Sequence, residues 1–148
     1  MRTSAAGTDG FTLLEMLIVL AIIALATLGV GFALRDSASV ILERDAQRLA
    51  ALLESARAQS RMSAVPVRWH STPQGFAFDG LPEANLPTTW LNSEVLAASE
   101  GAVLLGPEPI LAPQRIRLFM RSQPERSLQV STDGIRPFAV QSGAAPAP

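Results

Sequence analysis

The feature that most constrains this chain is an apolar segment near its N-terminus. Residues 11–34 (FTLLEMLIVLAIIALATLGVGFAL) contain one charged side chain, Glu15, and the nineteen residues from Met16 to Leu34 carry none. As a helix rising about 1.5 Å per residue, that uncharged run reaches roughly 28 Å, close to the roughly 30 Å hydrocarbon core of a bilayer. A buried core helix is the alternative, but the rest of the chain is too short to surround one. The segment therefore predicts a single membrane-spanning helix.

A short polar segment precedes the apolar one. Residues 1–10 (MRTSAAGTDG) hold one basic residue, Arg2, and end in Gly10. A secretory signal peptide has its small-residue cleavage site after the apolar stretch, and the nearest such pattern, Ala24-Leu25-Ala26, lies in the middle of that stretch. Cleavage there by a standard signal peptidase is the less favoured alternative to a leader that ends at the glycine.

The apolar segment continues into an amphipathic one. No glycine or proline occurs from Phe32 to Val65, and all eleven prolines lie at or beyond Pro66. Apolar side chains recur in this stretch at steps of three and four residues, which is helical spacing: Leu42, Ala46, Leu49, Leu53 and Ala56. The spacing predicts one helix from about Thr12 to Met62, apolar all round in its first half and along one stripe in its second.

Beyond the helix the pattern changes to short alternating runs separated by turn residues. Strands are predicted at 65–70, 76–79, 103–105, 115–120, 128–131 and 135–140. In the run from Arg115 to Met120, the apolar residues face one side and the two arginines face the other. Asp133-Gly134 predicts a hairpin turn between the last two strands. The connection 79–99 is expected to be irregular, with a short helix near Glu94–Ser99.

These patterns together predict an α+β chain. A long N-terminal helix, membrane-spanning in its first half, packs on a small antiparallel β-sheet head. The expected organisation is a leader at 1–10, a transmembrane segment at 11–34, an amphipathic continuation at 35–62, a β-rich head at 63–140 and a disordered tail at 141–148. Because a head of this size is small for independent stability, the helix stripe should form one wall of its core.

Composition excludes several classes of function. The chain has no cysteine, which removes disulfides, thiolate nucleophiles and cysteine-based metal sites. Its single histidine, His70, makes a metal cluster or a Ser-His-Asp site a poor hypothesis. Twelve arginines against thirteen acids give a net charge of −1, so no overall field attracts nucleic acid. We expect no enzymatic activity, no metal and no cofactor.

The apolar segment opens with Gly10-Phe11-Thr12-Leu13-Leu14-Glu15-Met16. A glycine ends the polar leader, an aromatic residue follows, and a glutamate lies four residues after the aromatic one. This pattern closely resembles the class III signal of type IV pilins and of the pseudopilins of type II secretion. The resemblance implies that a prepilin peptidase cleaves between Gly10 and Phe11 and methylates the new N-terminus.

Glu15 lies one turn into an apolar helix and calls for a partner. An ionised carboxylate at mid-bilayer costs about 2.5–3.5 kcal/mol on insertion scales. The resemblance implies that the partner is the N-terminal amine of a neighbouring subunit during filament assembly. Pairing with its own amine and a protonated carboxyl are the alternatives, and spacing alone does not decide among them.

Further motifs resemble the H class of minor pseudopilins, a group that takes in the FimT-like minor pilins. They are Leu42–Leu49, Ala56–Ser60, Val67–Trp69 and Ser131–Phe138. The resemblance implies a structural subunit at or near the tip of a periplasmic pseudopilus, anchored in the bacterial inner membrane by one span. Its implied partners are other major and minor pseudopilins, prepilin peptidase, the inner-membrane secretion platform and membrane lipid.

A FimT-like minor pilin that binds DNA for uptake is the alternative function. Arg115, Arg117 and Arg136 lie on neighbouring predicted strands and could form a phosphate-binding stripe. Acids are interspersed among the arginines of the head, for example Glu125 and Asp133. Nucleic acid is therefore not an expected partner.

Overall fold

The computed structural model describes residues 12–82 and 86–142, and the side chains of those residues except 27–37 and 142. The N-terminal element is the helix α1, Leu13–Ser63. Ala64 has a φ of +54°, the left-handed conformation that commonly follows a helix end, and Pro66 cannot continue a helix. The predicted helix over Thr12–Met62 is confirmed to within one residue at each end.

The chain divides into two compact units, Met1–Ser37 and Ala38–Pro148. No helix in the part of the chain that the structure describes is both long enough and apolar enough to cross a membrane. The structure therefore does not support the prediction of a membrane-spanning first half. The described side chains of the predicted span end at Ala26, and those of 27–34 lie outside the described residues.

The second unit contains two antiparallel sheets. The strands are β1 (Arg68–Thr72), β2 (Gly75–Asp79), β3 (Val95–Ser99), β4 (Val103–Leu104), β5 (Gln114–Met120), β6 (Gln123–Thr132) and β7 (Ala139–Ser142). One sheet has the order β2-β1-β4 and the other the order β3-β5-β6-β7. Every pairing is antiparallel. The fold class, a helix packed against antiparallel sheets, is as predicted.

The core of the second unit contains the predicted helix stripe. All five of its apolar residues are buried, and they join one cluster with Trp69 of β1 and Val130 of β6. In β5, Ile116, Leu118 and Met120 are buried while Arg115 and Arg117 are exposed. The period-two alternation in this strand therefore identified the buried face correctly.

The predicted short helix near Glu94–Ser99 is wrong, because this segment forms β3. Val95–Ser99 pairs in register with Ile116–Met120 of β5, and the Arg121 N–H donates to the Glu94 carbonyl at 2.8 Å. Leu96, Ala97 and Ala98 favour helices when judged by propensity alone. Pairing with a strand that follows later in the chain outweighs that weak local preference.

The predicted strand over 135–140 begins later than expected. β7 starts at Ala139, and residues 133–138 form a connection rather than a two-residue hairpin turn. Gly134 has the expected positive φ, +92°. The Asp133 carboxylate accepts hydrogen bonds from nearby backbone N–H groups, which turns the chain on itself before it can pair. β7 reaches Ser142, so it includes the first two residues of the predicted tail, and 143–148 lie outside the described residues.

Candidate functional site

The predicted assembly residue, Glu15, lies in the first turn of α1 and is exposed. Its backbone N–H donates to Thr12 Oγ1 at 3.2 Å and to the Thr12 carbonyl at 3.0 Å. Thr12 is therefore the N-cap and Glu15 the third helical residue, the spacing of a capping box. A carboxylate at this position also lies near the positive end of the helix dipole. The Thr-x-x-Glu signal is present in the sequence, and sequence reasoning missed it.

The helix surface on both sides of Glu15, from Leu13 to Leu25, is apolar all round apart from that residue. Between 43% and 83% of each of its large apolar side chains is exposed. They are Leu13, Leu14, Met16, Leu17, Ile18, Val19, Leu20, Ile22, Ile23 and Leu25. Contiguous apolar surface of this kind marks contact with other proteins or with lipid. A helix that is apolar all round requires cover on every side, as in a bundle of helices.

The predicted processing site precedes this segment. Gly10 and Phe11 lie outside the described residues, as does the predicted leader 1–10. Cleavage between them, methylation of Phe11 and pairing of Glu15 with an amine therefore stay predictions.

Comparison with known families decides the class of this N-terminal segment. Residues 7–31 match the family model described as the prokaryotic N-terminal methylation motif. The match supports a type IV pilin-like protein. No curated protein and no solved structure matches the chain. The matched residues end before the second unit begins at Ala38.

The match over residues 7–31 has consequences for processing and assembly. It implies processing by prepilin peptidase and assembly with other pilins, and it is consistent with a membrane-anchored periplasmic protein. A pilin-like protein is a structural subunit, which points away from enzymatic activity. Within the described ranges, no three His, Asp or Glu side chains gather where they could hold a metal ion.

The three predicted DNA-contacting arginines of the head have different environments. Arg115 and Arg117 lie on the exposed face of β5. Arg136 lies on the 133–138 connection, where its Nε is 3.6 Å from Asp133 Oδ2. The structure therefore brings two of the three onto one strand face and gives the third a carboxylate partner.

Asp133 organises its own connection. Its Oδ1 accepts the N–H of Arg136 at 2.7 Å and that of Ile135 at 2.9 Å. These two hydrogen bonds, the first above all, hold the pKa of Asp133 below its ordinary value, and the charge of Arg136 adds to the effect. The carboxylate therefore acts as a local turn former.

Two side chains of α1, Arg57 and Glu54, form hydrogen bonds with the backbone of the 133–138 connection. Arg57 is buried and its Nη2 donates to the Gly134 carbonyl at 2.7 Å. Glu54 Oε1 accepts the Phe138 N–H at 3.0 Å and lies 3.6 Å from Arg57 Nη1. Sequence reasoning missed both roles. The signal was a charged residue at position 57, where the apolar stripe of Ala50 and Leu53 continues.

Two further side chains of α1, Asp45 and Arg48, form hydrogen bonds with the backbone of the connection between β2 and β3. Asp45 is 1% exposed, and its carboxylate accepts the N–H groups of Leu91 at 2.9 Å and Asn92 at 3.3 Å. Arg48 Nη1 donates to the Thr89 carbonyl at 2.7 Å. Asp45 and Arg57 both belong to segments that resembled the pseudopilins in sequence. In this structure the hydrogen bonds of both side chains are with backbone atoms of the head's loops.

The single histidine has a structural environment. His70 Nδ1 is 3.2 Å from Asp79 Oδ2 across the pairing of β1 with β2. Both side chains are partly exposed, so an ion pair between them contributes little to stability. This arrangement fits a strand residue.

Proposed function

We propose that this chain is a minor pseudopilin, a structural subunit at or near the tip of the periplasmic pseudopilus of a type II protein secretion system. The observation that carries the proposal is the exposed apolar surface of Leu13–Leu25 with one carboxylate, Glu15, in its first turn. That surface needs cover from similar helices, and a filament built from pilin-like helices supplies it. The methylation motif over 7–31 supports the same assignment.

Maturation creates the assembly end of the subunit. Prepilin peptidase cleaves between Gly10 and Phe11 and methylates Phe11, which leaves a positive α-amine at the start of the helix. Before assembly, the apolar segment anchors the subunit in the inner membrane with its head in the periplasm. The secretion platform and the other major and minor pseudopilins then take the subunit into the filament.

Glu15 guides that assembly step. Its carboxylate is exposed in the isolated chain and loses water when apolar helices pack around it. A charge removed from water needs a partner of opposite sign, and the α-amine of a neighbouring subunit supplies one. The Thr12 cap keeps the first turn helical, so the carboxylate is held on the helix surface where a neighbour can reach it.

A DNA-receptor minor pilin is the competing function. It depends on a phosphate-binding stripe in the head, and the candidates for that stripe reduce to Arg115 and Arg117, since Arg136 has Asp133 as a partner. Nucleic-acid affinity grows with the number of phosphates neutralised, so two arginines support it weakly. The filament role therefore has the stronger support.

The experiment compares Glu15→Gln with Glu43→Gln in cells that produce the complete secretion system. Glu43 is an exposed carboxylate on the same helix, so its replacement matches the loss of charge. The amounts of partner pseudopilins that co-purify with each tagged chain in mild detergent are measured. We expect Glu15→Gln to lower this recovery about tenfold, the effect of about 1.4 kcal/mol, and Glu43→Gln to leave it unchanged.

Intact mass of the same preparations tests maturation. All chains should begin at methylated Phe11, because neither substitution touches the cleavage site. Wild-type recovery of partners by Glu15→Gln would contradict the assembly role. A retained Met1, or an N-terminus near Ala26, would contradict processing by prepilin peptidase.

A further inference from the structure

An open groove of about 760 Å³ lies on the head and has no part in the proposed assembly. It is lined by the end of β3, the turn that leads into β4, Val103 of β4, Pro113 with the first part of β5, and one residue of β6. Ala98, Arg117 and Gln129 lie side by side in the register of three neighbouring strands and all contribute to it. The groove therefore begins on the outer face of the four-stranded sheet.

Side-chain hydrogen bonds fix both sides of the groove. The Gln114 side chain accepts the Leu104 N–H and donates to the Leu104 carbonyl, each at 2.7 Å, which joins β5 to β4. Ser99 Oγ donates to the Gly101 carbonyl at 2.6 Å within the turn. A groove with fixed walls loses little conformational freedom when it binds a partner.

The groove also has space beside its turn. A Cβ added at Gly101 would meet no atom within 4 Å. Ala98 and Ala102 are likewise small. The backbone of a bound peptide can therefore approach this turn closely without a steric clash.

The charge of the groove is carried by two arginines. Arg115 and Arg117 lie two residues apart on one face of β5, a separation of about 7 Å along an extended strand. Arg117 is held by a hydrogen bond to the Pro124 carbonyl at 2.7 Å and by the Phe119 ring, whose centre is 5.3 Å from its guanidinium carbon. Within the described chain, the Arg115 guanidinium makes no hydrogen bond and no ion pair, although the Arg115 backbone pairs with Ser131. Glu100 is the one carboxylate in the lining that the structure describes.

We propose that this groove binds an extended acidic segment of a partner protein. Side chains at alternate positions of an extended peptide repeat at about 7 Å, the same backbone spacing that separates Arg115 from Arg117 on β5. Two carboxylates of such a segment face Arg115 and Arg117, where each forms charge-assisted hydrogen bonds. The Gln129 amide lies beside them and binds polar atoms of the partner's backbone.

The same charges favour a peptide over nucleic acid. A phosphate backbone carries a charge at every nucleotide, and its affinity rises with the number of cations that it meets. This groove offers two cations, and Glu100 repels any phosphate that lies near it. A peptide can present an uncharged residue to Glu100 and its carboxylates to the arginines, so the mixed charge of the groove suits it.

The test uses the full chain in a mild non-ionic detergent and three fluorescent probes. These are a decapeptide of alternating Asp and Ser, the same peptide with Asn in place of Asp, and a short DNA duplex. Binding is measured by fluorescence anisotropy at low salt and at near-physiological salt. The variants are Arg115→Gln, Arg117→Gln, Glu100→Gln and, as a charge-matched control from the exposed surface of α1, Arg44→Gln.

We expect the Asp peptide to bind more tightly than the Asn peptide, and added salt to reduce that difference. Each groove arginine should contribute about fivefold in affinity, as expected for an exposed charged contact worth about 1 kcal/mol. Glu100→Gln should strengthen binding of the Asp peptide, and Arg44→Gln should leave it unchanged.

Three results would overturn the inference. They are equal binding of the Asp and Asn peptides, an equal loss from Arg44→Gln, and tighter binding of the duplex that disappears with the groove arginines. The last result would assign the groove to nucleic acid. None of the three depends on filament assembly, so failure here and failure of the proposed function are distinguishable.

Discussion

One helix serves two regions of this molecule in opposite ways. From residue 38 onward, α1 buries a stripe of small and aliphatic side chains in a core shared with both sheets. From residue 13 to residue 25, the same helix exposes large apolar side chains on every side. The later part is stabilised by contacts within its own chain, whereas the earlier part needs contacts with other molecules. An unbroken helix can therefore combine a folding element and an assembly element, and the surroundings of each side chain decide its role.

The largest effect that tests this comparison comes from equivalent leucines in the two regions. Leu53 is fully buried and Leu17 is 60% exposed. Leu53→Ala should lower the free energy of unfolding by about 2–5 kcal/mol, because it leaves a cavity in the core. Leu17→Ala should leave that free energy unchanged and reduce the recovery of partner subunits. Chemical denaturation and co-purification measure the two outcomes, and equal destabilisation by the two variants would remove the distinction.

The next effect concerns the buried arginine of α1. Arg57→Leu removes the guanidinium that binds the Gly134 and Arg136 carbonyls and leaves Glu54 without its cation. We expect a loss of about 3 kcal/mol, since removal of the buried guanidinium leaves the Gly134 carbonyl without its charged hydrogen-bond donor. Arg44→Leu removes an exposed guanidinium from the same helix and should change stability by less than about 0.5 kcal/mol. Denaturant unfolding followed by circular dichroism compares the two variants. An unchanged free energy of unfolding in Arg57→Leu would show that the Arg57 hydrogen bonds do not stabilise the head.

A smaller effect is expected in the connection that Arg57 fastens. At Gly134, φ is +92° and an added Cβ would clash with the Leu111 carbonyl oxygen. Gly134→Ala should therefore destabilise the head by about 2 kcal/mol through strain and displacement of the backbone at Leu111 and Ala112. Gly101 also has a positive φ, +146°, but open space around it, so Gly101→Ala should cost about 1 kcal/mol through backbone strain alone. Thermal unfolding ranks the two, and the reverse order would contradict the close packing at Gly134.

The smallest effect is a pH dependence. The pKa of Asp133 is lowered from its ordinary 3.8 in the folded chain by the Arg136 and Ile135 N–H groups. A carboxyl of this kind adds stability above its unfolded pKa and loses that contribution as pH falls through the lower folded value. Wild type should therefore melt at a higher temperature than Asp133→Asn at neutral pH, and the two should converge well below pH 4. A difference that stays constant across the titration would contradict this sign.

The elements of the fold that could be predicted from the sequence are those that depend on local spacing. The helix, its stripe and the alternation in β5 were evident because each depends on spacing within a few residues. β3 was missed because its pairing with β5 outweighs the helical propensity of Leu-Ala-Ala. The 133–138 connection was assigned partly to a strand because the groups that hold it, Glu54 and Arg57, lie 84 and 77 residues away in sequence.

The residues of the candidate site also separate into those that a local pattern predicts and those that depend on distant contacts. Glu15 was identified from a local pattern of leader, aromatic residue and apolar run, and the shared face of Arg115 and Arg117 followed from alternation. The pairing of Arg136 with Asp133 depends on the backbone conformation of the 133–138 connection, which the alternating pattern of a strand does not predict. The groove beside Arg115 depends on a side-chain bridge from Gln114 to β4, and no local pattern signals it.

The hydrogen bonds that Asp45 and Arg57 of α1 make to the loops affect which loop residues can be substituted. Asp45 binds the main-chain N–H groups at positions 91 and 92, and Arg57 binds the main-chain carbonyls at 134 and 136. Any residue except proline supplies an N–H group, and every residue supplies a carbonyl. Outward side chains that take no part in forming these loops can therefore be exchanged while the hydrogen bonds to α1 are kept. The head thus offers two places where new recognition surfaces could be installed by substitution alone.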